Sequence, residues 1–175
     1  MLILTDGFQP EGVTRLFQDS VFMMPHLGVL STVYPEAAWQ IFDKDCLVRL
    51  GTVVAPRGVL KEGHEVMSVE MEMPDGSTVK HVLSSGEIKR IPLPDRQDIK
   101  AVIKPRGGFD VGVGEGKELN TTLSGGVVGI VLDARGRPLR LPEDDGTRKR
   151  TLLGWWKELD LYPVEPLRWE KAHER

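Results

Sequence analysis

The chain of 175 residues carries a net charge of −3, 28% charged and 40% apolar residues, and a single cysteine, Cys46. That balance excludes a disordered polyelectrolyte, a disulfide-built scaffold and a Cys-based zinc centre, and it leaves no electrostatic case for nucleic acid or an anionic membrane. With 19 glycines, 12 prolines and 6% aromatic residues, the chain reads as turn-rich, mainly β, long enough to bury a core and suited to a reducing cytoplasm.

In chain order, Leu2-Ile3-Leu4 reads as a strand whose pairing neighbour is expected on another chain or on a segment outside this sequence. Pro10 stands at a first helical position, and Val13, Leu16 and Phe17 recur at i, i+3 and i+4, so a short helix is predicted from Pro10 to Asp19. Asp19 and Ser20 offer an N-cap to a second helix. The stretch Val21 to Val33 is apolar all round, which predicts a buried or partner-facing helix with Pro25 near its start. Pro35 opens a third helix, EAAWQIF, that ends in Asp43-Lys44-Asp45. Residues 1–50 are therefore expected to form a helical N-terminal subdomain.

From Gly51 the period changes to two. Met67, Val69, Met71 and Met73 alternate with polar residues, Pro74-Asp75-Gly76 turns the chain, and Val79, His81 and Leu83 resume, which is the pattern of a half-buried hairpin. Glu87 to Leu93 supplies a further strand, stopped by Pro92 and Pro94, and Ala101-Val102-Ile103 leads into Lys104 to Pro142, a block holding nine of the nineteen glycines. Its glycine-rich part reads as a strand or bulged edge with closely approaching backbones. Ser124-Gly125-Gly126 reads as a tight turn, Val127 to Leu132 as a strand, Asp133 to Gly136 as a type I turn, and Arg137 to Leu141 as the returning arm of a hairpin. About seven short strands over residues 51–142 suit a closed barrel or a sandwich. Residues 143–175 supply a C-terminal helix from Thr151 to Leu161, stopped by Pro163, in which Leu152, Trp155, Trp156 and Leu159 share a face fit to cap the open end of a barrel; Arg148-Lys149-Arg150 precedes it as an exposed first turn.

Catalytic and cofactor motifs are missing. A phosphate loop around Gly116-Lys117 fails twice, with Val111 where a Gly is needed and Glu118 where a Ser or Thr would hold magnesium. The glycines at 112, 114 and 116 lack the dinucleotide spacing. His26, His64, His81 and His173 form no helical metal pair, His81 reads as a half-buried strand residue, and no G-x-S-x-G elbow occurs. Cys46 follows an acidic helix end, which should raise its thiol pKa and favours a structural role. Neither Lys104 nor Lys117 stands in the hairpin-tip motif of a lipoyl- or biotinyl-type carrier. No cofactor and no metal are expected. The most suggestive polar set is Asp133, Arg135 and Arg137 on one turn, with Arg106 and Lys117 at other glycine-flanked positions; an arginine fork grips a carboxylate or phosphate well.

Several segments in matching order, TDGFQPEGVTRLF, VYPEAAWQIF, LVRLGTVVAPRG, KPRGGFDVGVGEGK, GGVVGIVLDARGRPL and LLGWWKELDLYP, resemble the C-terminal part of the glutamate mutase MutL-type accessory proteins, a family unrelated to the mismatch-repair protein of similar name. The resemblance covers residues 3 to 163, and the DARGRPL turn with its GGVVG approach is its most distinctive portion. It implies an association with adenosylcobalamin-dependent carbon-skeleton mutases. It also implies an actin-like ATPase portion, which this chain lacks, so no nucleotide-binding residue carries over. The expectation is a non-catalytic interaction domain whose partner is that ATPase portion or a mutase subunit, with a second copy of the chain as a further candidate. The alternative is a small enzyme or ligand-binding domain that holds an acidic substrate with its turn arginines.

Overall fold

A computed structural model describes residues 9–160. The strand expected at Leu2-Ile3-Leu4 and the stop expected at Pro163 lie outside them.

The protein is mainly β, with ten strands in three open sheets and three α-helices. In chain order the elements are β1 (Gly12–Asp19), α1 (Met24–Ser31), α2 (Pro35–Ile41) with a π-helical turn (Phe42–Cys46), β2 (Leu47–Ala55), β3 (Arg57–Gly58), β4 (Glu65–Glu72), β5 (Thr78–Ser84), β6 (Ile88–Ile91), β7 (Asp98–Pro105), β8 (Phe109–Asp110), β9 (Leu119–Ser124), β10 (Gly129–Asp133) and α3 (Asp145–Leu159). The first sheet has the order β1-β2-β10-β6, the second β5-β4-β7-β9, and β3 pairs with β8. No sheet closes on itself, so the barrel expectation gives way to its sandwich alternative.

Two apolar clusters fix the layering. Val54, Ile130 and Leu132 of the first sheet meet Met67, Val69, Met71, Ile103 and Leu123 of the second in one core. On the opposite face of the first sheet, Val53, Ala55, Ile88 and Val131 pack under Leu159, with Trp155 and Trp156 beside them. Every residue of β10 is therefore buried, which is why Gly129 to Leu132 reads as a continuous apolar run with no polar alternation before Asp133. Thr52 and Ser124 stitch the two sheets: the Thr52 hydroxyl donates to the Ser124 carbonyl at 2.8 Å and accepts from its amide at 3.1 Å.

Four expectations change. The helix expected from Pro10 to Asp19 is a strand, β1, paired antiparallel with β2 from Gly12↔Ala55 to Asp19↔Leu47. Eight residues with a helical spacing carry little helix stability of their own, whereas the exposed edge of β2 supplies a full ladder of partners. The helices of the N-terminal region are thus confined to residues 24–46. The arm expected to return over Arg137 to Leu141 is not a strand, because β2 and β6 occupy both edges of β10; Arg137 makes only an isolated bridge with Gly58. The glycine-rich segment after β8 is a loop wound on Asp110, whose Oδ1 accepts from the amides of Gly112, Val113 and Gly114 at 2.7 to 3.0 Å. These bonds, Gly112 first, hold the Asp110 carboxyl below its ordinary range. The C-terminal helix begins at Asp145, one turn and a half before Thr151, since Asp144 caps it by accepting from the Thr147 amide.

The tryptophans of α3 do form a lid, over the outer face of the first sheet and not over a barrel mouth. The Trp155 indole also donates to the Gly86 carbonyl at 3.1 Å, and the Arg135 guanidinium stacks 4.6 Å from its ring centroid. Trp155→Ala is expected to cost about 3 kcal/mol in a urea melt, the low end for an aromatic truncation because the ring is half-exposed. An unchanged midpoint would mean that α3 does not seal this face.

Candidate interaction surface

Residues 20–46 leave the end of the β1–β2 ladder and return to it. The neck is closed by Ser20, whose amide and hydroxyl both donate to the Cys46 carbonyl at 3.0 Å. Cys46 is buried there, and burial pushes its thiol pKa up, with the charges of Asp19 and Asp45 adding to the effect. A packed, protonated thiol is structural.

Beyond the neck the chain forms two short helices, and each buries a single side chain: Leu27 in α1 and Ala38 in α2. Neither has a side-chain cap at its N-terminus; the expected cap by Asp19 or Ser20 fails because α1 starts four residues later, with Met23 at the cap position. Helices of this length have marginal stability unless an apolar face is covered. Here it is uncovered. Of the fourteen large apolar side chains exposed among the described residues, nine lie between Phe17 and Ile41, including Val29, Val33, Tyr34 and Trp39. Phe22 is 84% exposed and sits at φ +54, a backbone region that a bulky side chain avoids. A strained aromatic at the surface and an uncovered helix pair together make this the candidate interaction surface among the described residues.

The polar residues singled out from the sequence separate. Asp133, Arg135 and Arg137 come together, but below the surface. Arg135 donates from Nε and Nη2 to the Asp133 carboxylate at 2.9 and 2.7 Å, and Arg137 Nη2 donates to it at 2.8 Å. Arg137 also donates to the carbonyls of Pro10 and Gly136. Burial alone would raise the Asp133 pKa, but hydrogen bonds and charge from the two guanidiniums outweigh it and hold the carboxyl below its ordinary range. Both arginine side chains are at most 2% exposed, although Arg135 and Arg137 are among the residues that line a cavity of about 260 Å³ beside Leu60 and Arg140. Arg106 lies on the surface, paired with Glu65 at 2.5 Å, and Lys117 is exposed at the end of the Asp110 loop. Neither pairs with the Asp133 cluster.

His81 is half-buried on β5, and burial, then the nearby Lys89 charge, lowers its pKa. No group of three or more potential metal ligands occurs among the described residues, and no helix among them is long and apolar enough to cross a membrane.

The stretch Val21 to Val33, expected as a buried or partner-facing helix, falls within this arm, whereas nothing in the sequence of the third helix distinguishes Trp39. Only the absence of a layer over α1 and α2 distinguishes an uncovered face from a core one. Compared with protein-family models, with curated proteins and with solved structures, the chain gives no match.

Proposed function

We propose that this chain is a non-catalytic interaction domain that docks onto a protein partner through the α1–α2 arm. The observation that carries the reading is the concentration of exposed apolar side chains on two short helices that bury one residue each. The sandwich beneath, covered on its outer face by α3, carries that arm. The resemblance to glutamate mutase MutL-type accessory proteins suggests the partner: the actin-like ATPase portion of such a factor, or a subunit of an adenosylcobalamin-dependent mutase, acting in the cytoplasm. The alternative of an acidic substrate held by turn arginines has less support, because Arg135 and Arg137 are committed to Asp133 and to backbone carbonyls.

The test is co-elution of the chain with each of these two proteins in size-exclusion chromatography. Trp39→Ser is expected to abolish co-elution, a loss of at least tenfold in affinity for a central aromatic, while the urea midpoint of the isolated chain stays within about 0.5 kcal/mol. Phe22→Gly removes a strained aromatic, so it should weaken association while raising the stability of the isolated chain by about 1 kcal/mol. A chain that elutes alone with both proteins, or a Trp39→Ser variant that binds as before, defeats the reading.

A further inference from the structure

The first sheet carries a second feature at the root of the arm. Between Leu16 and Phe17 the β1–β2 register slips, and the resulting bulge opens a groove of about 140 Å³ lined by Arg15, Phe17, Arg49, Arg96, Asp98 and the Ser124-Gly125 backbone. Three arginines therefore line one concavity with one aspartate. Asp98 pairs with none of them; Arg49 spends one nitrogen on Asp43 at 2.6 Å, Arg96 lies 3.9 Å from Asp95, and Arg15 forms no ion pair with any described residue. Each guanidinium has five donors, so most of the donor capacity around the groove is uncommitted.

Arg96 is also held at φ +61, at the third position of a turn in which the Gln97 amide donates to the Pro94 carbonyl at 3.3 Å. Glycine or asparagine is the ordinary choice at such a position. A charged side chain kept there in a strained conformation, beside two others of the same sign, is a functional signal.

We infer that this groove is a receptor for a single carboxylate, and, resting on the docking reading above, that the carboxylate is an Asp or Glu side chain of the partner seated on the arm. Size selects the ligand: small-molecule sites run to about 300–1,000 Å³, and this groove holds one oxyanion with little else. The lining selects its sign, since three of the four charged side chains around the groove are arginines, although Arg49 and Arg96 also face Asp43 and Asp95 outside it. Phe17 selects its source, because it lines the groove and is also the first of the exposed apolar residues that continue along the arm. An acidic side chain flanked by apolar ones meets both features at once. The arm supplies contact area and the groove sets register and on-rate, as charge complementarity does at other interfaces.

The groove is tested without any partner, by titrating the full chain with glutarate and, separately, with inorganic phosphate while following the arginine Nε–H resonances. Glutarate is expected to shift Arg15, Arg49 and Arg96 in a saturable way. Arg96→Gln should weaken that binding about five- to tenfold, the loss of one charge-assisted hydrogen bond. Arg96→Gly, which suits the left-handed backbone, should do the same and guards against a folding artefact. Trp39→Ser should leave the titration unchanged. With the partner, Arg96→Gln should reduce affinity and flatten its salt dependence, and Arg96→Lys should restore the charge-dependent part. Shifts that rise linearly and spread over all surface arginines, an adventitious ion only, overturn the receptor. Saturation by phosphate but not glutarate overturns the carboxylate assignment, as does partner binding indifferent to Arg96. If Trp39→Ser proves harmless the arm reading fails by itself, because the glutarate titration reads the groove independently.

Discussion

Asp133→Ala is expected to unfold most of the chain at neutral pH. The carboxylate is the common acceptor for two guanidiniums that sit within the fold, and its removal leaves both positive charges buried without it. Breaking a buried pair by deleting one partner costs about 3–5 kcal/mol, and here one deletion breaks two pairs, against a total stability of about 5–15 kcal/mol for a domain. The loss should spread beyond β10. Arg135 stacks on Trp155 of α3 and Arg137 holds the Pro10 carbonyl, so the near-ultraviolet tryptophan signal and protection near Pro10 should go with it. Asp133→Asn keeps the shape without the charge and should retain most of the defect. The same group predicts an acid limb. Its folded pKa is below the unfolded value of about 3.9, so its stabilisation is fully present above that value and is lost as pH falls through the folded pKa. A urea midpoint that barely moves in Asp133→Ala, or that falls equally at pH 3 in wild type and variant, would show that the cluster is not a structural keystone.

Gly51→Ala should be at least as damaging, for a steric reason alone. β2 and β10 run parallel with Gly51 opposite Gly129, and a Cβ at position 51 would stand 1.8 Å from the Gly129 carbonyl oxygen. The backbone at Gly51 also has φ +131, which an L side chain rarely adopts. Both faces of this pair are core, so the strands cannot separate without opening the two clusters together. The cost should exceed about 4–5 kcal/mol, and the expected readout is insoluble protein or an unfolded circular dichroism spectrum. Gly28→Ala is the control, since nothing lies within 4 Å of that position in α1; it should be neutral or stabilising by about 0.5–1 kcal/mol. A well-folded Gly51→Ala chain would refute the close parallel approach of β2 and β10.

How much of this was legible depends on whether the physics is local. The Met67 to Leu83 hairpin was, because period-two alternation and a Pro-Asp-Gly turn both act within a few residues, and its register from Glu65↔Ser84 to Glu72↔Thr78 follows from them. So were α2, opened by Pro35, the β6 strand stopped at Pro92, the tryptophan stripe of α3 and the raised thiol pKa of Cys46, although its first cause is burial and not the neighbouring acids. Residues 12–19 were not. Their spacing suits a helix, and only the vacant edge of β2, dozens of residues later in the chain, makes them a strand. The same holds for Asp133, Arg135 and Arg137. A charged turn after a strand is ordinarily exposed, and what buries this one is that β2 and β6 flank β10 while Trp155 and Pro10 close over it. The groove of Arg15, Arg49 and Arg96 draws on three separate strands and turns, so no spacing encodes it. Local patterning thus determined the repertoire of elements, whereas partner availability in three dimensions decided which charges became core and which apolar residues were left facing solvent.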